Sequence, residues 1–237
     1  MLIDFFGDSI TEGVGASSYE KCFVSRVSQL LKCEVINHGI GGTRFAHQSK
    51  PSDEPRWDLD FCSRLKELNP NADLVFVFGG TNDFGHGDAP IGNIDDDTPN
   101  TFYGACNYII NYLLKLYKIE QITFILPLHR VGEDNPRGDG YKEPPSLVLE
   151  GYRNVIKEVL DKMAPFNFAI NGQKLLETFF KMLLKNPVKA CETLRTNPAF
   201  FSPILQETEN GKRKLSPSET KKENERIANF FKTYNFQ

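Results

Sequence analysis

Short apolar runs alternate with longer amphipathic ones along most of the chain. Residues 2–6, 33–36, 73–78, 121–128 and 166–170 are rich in Val, Ile, Leu and Phe and read as strands. Between them, residues 19–31, 57–68, 101–117 and 146–163 read as helices. In the third of these, Ala105, Ile109, Tyr112, Leu113 and Leu116 recur at helical spacing, as a core-facing stripe does. Strand–helix alternation predicts a parallel sheet covered on both faces and joined by right-handed crossovers. With 237 residues, 40% of them hydrophobic, the chain can bury a sizeable core as one α/β domain. Residues 171–218 fit the alternation poorly: 173–194 reads as a helix broken at Asn186-Pro187, and a final helix is predicted over 220–234.

Three polar, glycine-rich blocks stand directly after the first three strand-like runs. They are Gly7-Asp8-Ser9-Ile10-Thr11, Asn37-His38-Gly39-Ile40-Gly41-Gly42-Thr43 and Gly79-Gly80-Thr81-Asn82-Asp83. All three therefore leave the same edge of a parallel sheet, where open α/β sheets bind ligands. A serine that starts a helix there has N–H groups aimed toward its oxygen. The same residues also have a purely structural reading. Ser9-Ile10-Thr11-Glu12 fits a capping box, with Glu12 reaching back to the first turn. Gly41-Gly42 fits a turn, and Asn82-Asp83 a helix cap.

In this order the blocks resemble those of the SGNH, or GDSL, hydrolases, a family of serine esterases, and the resemblance runs from the N-terminus to about Met163. It implies a three-layer α/β/α sandwich around a flavodoxin-like five-stranded sheet of order 2-1-3-4-5. It also implies Ser9 as nucleophile, with the Gly42 backbone N–H and the Asn82 side-chain amide as oxyanion donors. Donors of that kind each lower a barrier by roughly 3 kcal/mol. No metal or organic cofactor is needed for such chemistry.

The family's fourth block, an aspartate and a histidine three residues apart before the last helix, is not found. Aligning Leu215-Ser216-Pro217-Ser218 with the residues after that histidine puts Lys214 at the histidine position and Gly211 at the aspartate position, and no histidine occurs beyond His129. A serine hydroxyl is a weak nucleophile without a neighbouring base. Three alternatives stand: a histidine elsewhere serves; the protein is a weakened relative that still binds ligands; or the C-terminal sequence differs from that of an active ancestor, as after a local frame change. His129, at the end of the fourth strand-like run, is the leading substitute base. His86, His47 and His38 are less well placed, and His86 suits a substrate contact better.

Residues 85–90 and 129–141 form long polar loops at the same edge, where long loops are often functional. Asp8, His86, Asp88, Arg130 and Arg137 are the candidate substrate contacts, the arginines because their forked donors suit hydroxyl, carboxylate or phosphate groups. Both loops are similar to those of a bacterial branch of the family that acts on short acyl groups carried by polar molecules such as sugars. A small ester such as an acetylated sugar is the expected partner.

Composition then excludes other classes. A net charge of −3 gives no footprint for nucleic acid, and no apolar run approaches the ~20 residues that span a bilayer. Cys22, Cys33, Cys62, Cys106 and Cys191 are scattered, without the spacing of a zinc or redox pair, which predicts reduced thiols and no metal. The chain opens directly into its first strand, with no room for a signal peptide, so a cytoplasmic location is expected.

Overall fold

The computed structural model describes residues 1–140, 142–163 and 169–170. Five parallel strands, β1 (Leu2–Gly7), β2 (Glu34–Gly39), β3 (Leu74–Phe78), β4 (Ile122–Ile125) and β5 (Ala169–Ile170), form one sheet in the order β2-β1-β3-β4-β5. This is the α/β architecture and the strand order expected. Register is set by side chains that alternate between two apolar layers. Ile3 and Phe5 of β1, with Phe76 and Phe78 of β3, join Val24 and Val27 of α2 (Phe23–Leu31) on one face. On the other, Phe6, Val75 and Val77 pack with α5 (Phe102–Leu116) and α6 (Leu149–Met163) through Ile109, Leu113, Ile156 and Val159.

Two expected elements are shorter than their apolar patterns. Residues 57–68 are not one helix but a 3-10 turn (Pro55–Asp58), the short α3 (Phe61–Arg64) and a second 3-10 turn (Leu65–Glu67). The break has a local cause: the Asp60 carboxylate accepts the Ser63 N–H and starts a new helix there. The fourth strand ends at Ile125 rather than Leu128, with Pro127, which cannot donate to a ladder, just beyond it. His129 therefore stands in the loop beyond β4 rather than at the strand's end. Similarly, 3-10 geometry (Tyr19–Lys21) precedes α2.

Two further short helices occupy the edge onto which the three blocks open. They are α1 (Ser9–Glu12), directly after β1, and α4 (Thr81–His86), directly after β3. Among the described residues, no helix is long and apolar enough to cross a membrane. The expected elements at 173–194 and 220–234, the aligned Gly211 and Lys214, and Cys191 lie outside the described residues.

Candidate active site

The start of α1 is capped by Asp8, not by Ser9: the Asp8 Oδ1 accepts the Ile10 N–H at 3.0 Å, and Ser9 is the first helical residue. Ser9 thus keeps its side chain out of the cap. Glu12 does not close a capping box either. One of its oxygens accepts the Gly41 N–H at 2.7 Å and the other accepts from Arg56 Nη2 at 2.7 Å. That carboxylate draws the glycine pair against the serine helix. A methyl group placed on Gly41 would lie 3.4 Å from Ser9 Cβ. From the other side, the Asn37 amide donates to the Thr11 carbonyl at 2.9 Å and ties α1 to β2.

This anchoring leaves particular donors unused. Gly41 N–H is taken by Glu12, and Thr43 N–H reaches the Ile40 carbonyl at 3.4 Å. Between them, Gly42 N–H has no acceptor among the described residues, and neither has Ser9 N–H. The first N–H groups of a helix are unpaired by construction. Gly42 holds φ at +79°, where glycine is favoured. Asn82 completes the set. Its Nδ2 donates to the Thr43 carbonyl at 2.9 Å, which uses one of two amide hydrogens and leaves the other. Gly80, not Asn82, caps α4, and no side-chain cap is formed there.

The residue after Asn82 fixes the same loop. Asp83 is buried and accepts the N–H groups of Phe45 at 2.9 Å and Ala46 at 3.0 Å. Lys142, from the β4–α6 loop, donates its ammonium to the Asp83 carbonyl and to the Tyr152 hydroxyl. Burial pushes the Asp83 carboxyl up to about 6 against those two N–H bonds, and lowers Lys142 to about 8. Asp8 is pushed up to about 7, by burial first and then by the neighbouring Asp83 charge. Asp8 is fully buried and serves as the cap of α1.

None of the four histidines is hydrogen-bonded to Ser9, whose hydroxyl has no hydrogen-bond partner among the described residues. His129 faces Glu133 through Nδ1 at 3.0 Å, and its Nε2 accepts from Arg153 at 3.1 Å. His47 pairs with Asp60 at 2.7 Å, and His38 lies 3.5 Å from the buried Asp4. His86 Nδ1 accepts from Arg44 at 2.8 Å, which leaves the imidazole proton on Nε2. Burial and then the Arg44 charge depress His86 to about 4, so it stays neutral at physiological pH.

The remaining candidate contacts are also engaged. Asp88 accepts from the Ser49 N–H and hydroxyl and from the Lys50 N–H. Arg130 pairs with Asp139, and Arg137 with Glu143. His86 and Asp88 nonetheless line a cleft of about 530 Å3 with Lys50, Lys142, Glu143 and Ser146. Among the described residues, no group of three His, Cys, Asp or Glu side chains could hold a metal ion.

Trp57, Asp83 and Lys142 were not legible as site residues. Trp57 lies against Gly42: a methyl placed on that glycine would sit 2.1 Å from Trp57 Cδ1. It is the chain's one tryptophan, a signal available from composition alone. Asp83 stands inside one of the three blocks, beside the more conspicuous Asn82. Lys142 offered no signal, being one lysine in a polar loop.

Residues 5–172 match the sequence profile of the GDSL-like lipase/acylhydrolase family. No curated protein matches the chain. Among solved structures, one crystal structure is 25% identical with a TM-score of 0.57, covering 73% of this chain and 78% of its own. A Lactobacillus plantarum protein is 23% identical with a TM-score of 0.53, covering 68% of this chain and 72% of its own. A possible lipase from Chitinophaga pinensis is 23% identical with a TM-score of 0.51, covering 68% and 64%.

Proposed function

Because the chain belongs to the GDSL-like lipase/acylhydrolase family, we propose that it hydrolyses small esters by two-step acyl transfer on Ser9. The Ser9 oxygen attacks the ester carbonyl while its proton passes to a base. The tetrahedral oxyanion accepts from Ser9 N–H, Gly42 N–H and the second Asn82 amide hydrogen. Collapse expels the alcohol, which takes the proton back, and water then releases the acid from the acyl-serine. The observation that carries this reading is the Gly42 N–H, without an acceptor among the described residues, between two neighbours whose N–H groups are both bonded, beside Ser9. Fixed donors of this kind act where charge develops.

His129 is the proposed base and Glu133 its orienting carboxylate, with Nε2 exchanging Arg153 for the Ser9 hydroxyl when substrate is present. The proposed substrates are acetyl esters of carbohydrates, which the polar walls around His86 and Asp88 suit. A cytoplasmic setting is proposed from the buried thiols Cys22, Cys62 and Cys106.

A second reading is favoured by one observation, a Ser9 hydroxyl without a hydrogen-bond partner among the described residues, in a chain without histidine beyond His129. In that reading the protein binds an ester or its alcohol in the same pocket without turning it over. A fluorophosphonate probe separates the two. An activated Ser9 gives labelling of the native protein that Ser9→Ala abolishes. Labelling that survives the substitution overturns the nucleophile, and no labelling of either protein supports the binding reading.

A further inference from the structure

Trp57 is 37% exposed, yet nearly everything around it is arranged to hold it still. Its predecessor Arg56 pairs with Glu12 of α1 at 2.7 Å. Its successor Asp58 accepts the Ser52 N–H at 2.9 Å and the Ser52 hydroxyl at 2.6 Å, and lies 3.6 Å from Arg44. Arg44 in turn donates to His86, whose ring packs on the Trp57 indole with centroids 5.1 Å apart and planes at 39°. The residues on either side of Trp57 are thus tied down by polar contacts, and the indole itself rests on His86 and Gly42 rather than being swallowed by the core. Only a glycine at 42 lets it reach the donor loop.

We propose that Trp57 is the aromatic platform on which the sugar ring of an acylated carbohydrate stacks, with His86 beside it donating to a sugar oxygen from Nε2. This rests on the acylhydrolase reading and specifies the alcohol side of its substrate. The chemistry is that of one surface for each part of a pyranose. Its C–H face is apolar and takes a flat indole face; its hydroxyl rim takes polar groups. His86 joins the two parts of the site, because its ring touches Trp57 and also lines the cleft with Asp88 and Lys50. At about 530 Å3 the cleft falls within the size range of small-molecule sites. Trp57 lies against Gly42, whose neighbour Gly41 approaches Ser9, so a sugar on the indole would bring an ester substituent toward the proposed oxyanion donors.

The chain's single tryptophan is its own reporter. Full-length Ser9→Ala protein is titrated with methyl tri-O-acetyl-β-D-xylopyranoside and, separately, with ethyl acetate, while indole fluorescence is monitored. A saturable change with the xyloside and none with ethyl acetate at equal concentration is expected. In the Ser9-intact background, Trp57→Ala and Trp57→Phe are compared by the ratio of kcat/KM for the two esters. The ratio is expected to fall at least tenfold in Trp57→Ala and to recover in part in Trp57→Phe, whose ring keeps a stacking face. Circular dichroism establishes that both variants fold; should the alanine variant not, the phenylalanine variant and the fluorescence titration decide. No fluorescence change with the xyloside, or an unaltered ratio, overturns the platform. A fluorescence change in a protein that hydrolyses neither ester sinks the esterase reading while the platform stands. Hydrolysis of both esters with a silent Trp57 does the reverse.

Discussion

The Asn82 side-chain amide donates to the Thr43 carbonyl at 2.9 Å, across 39 residues of sequence. One hydrogen bond thereby joins the glycine block after β2 to the helix after β3. Asp83 adds two more to the same loop, at Phe45 and Ala46. With Glu12 tying Gly41 to α1, the proposed oxyanion donors are parts of one braced unit rather than three independent loops. Such bracing is what preorganised stabilisation needs, since donors that must first be oriented lose much of their benefit.

Asn82→Ala removes both the brace and the proposed donor. It is expected to lower kcat by about a hundredfold or more with little change in KM, because the contact to the oxyanion strengthens only in the transition state. Steady-state kinetics with a chromogenic acetate ester, beside a thermal melt, checks it. A drop in melting temperature with turnover intact would reduce Asn82 to a brace.

The buried Asp8 carboxyl predicts a pH signature. Its folded value, pushed up to about 7, lies above the unfolded value of 3.8, so over that window the folded state holds a proton that the unfolded state has released. Asp8 therefore leaves stability intact below pH 4, and takes it away as pH rises toward 7. Asp8→Asn keeps an oxygen for the Ile10 N–H and cannot ionise. The difference in unfolding free energy, variant minus native, is expected to move in the variant's favour between pH 4 and pH 7, on the order of a few kcal/mol. Taking the difference cancels the opposite contribution of His86, which is lowered to about 4. Urea denaturation at a series of pH values measures it, and a flat difference would show that Asp8 is ionised throughout.

His129 is held between Glu133 and Arg153, so catalysis through it requires an exchange at Nε2. His129→Ala is expected to lower turnover nearly as far as Ser9→Ala, since members of a catalytic unit are not additive. Arg153→Met, which frees Nε2, is expected not to lower it. Turnover that survives His129→Ala assigns the base elsewhere. Gly211→Asp with Lys214→His then tests the C-terminal alignment directly: a gain of esterase activity would mean that the native chain lacks a working Asp/His pair.

The chain itself determined the sheet and the edge on which chemistry gathers. Strands at 2–6 and 73–78 are short, β-rich and bounded by Gly or polar blocks, and period-2 alternation between two apolar layers leaves little freedom in their register. The placement of Ser9, Gly42 and Asn82 at that edge was legible because each stands just after a strand, where local sequence fixes position to within a few residues. What local sequence could not decide is where a long side chain ends. Glu12 fits a capping box by spacing, yet the structure sends it to Gly41 and Arg56, because Asp8 already serves the first turn. Residues 57–68 carry an apolar pattern that a helix would satisfy. A competing cap at Asp60 breaks it and frees Trp57 to turn onto Gly42. Lys142 is one polar residue in a loop until packing buries it between Asp83 and Tyr152. Helix and strand periods are properties of neighbours in sequence; which ring covers a glycine, and which carboxylate loses its water, are set by contacts tens of residues apart.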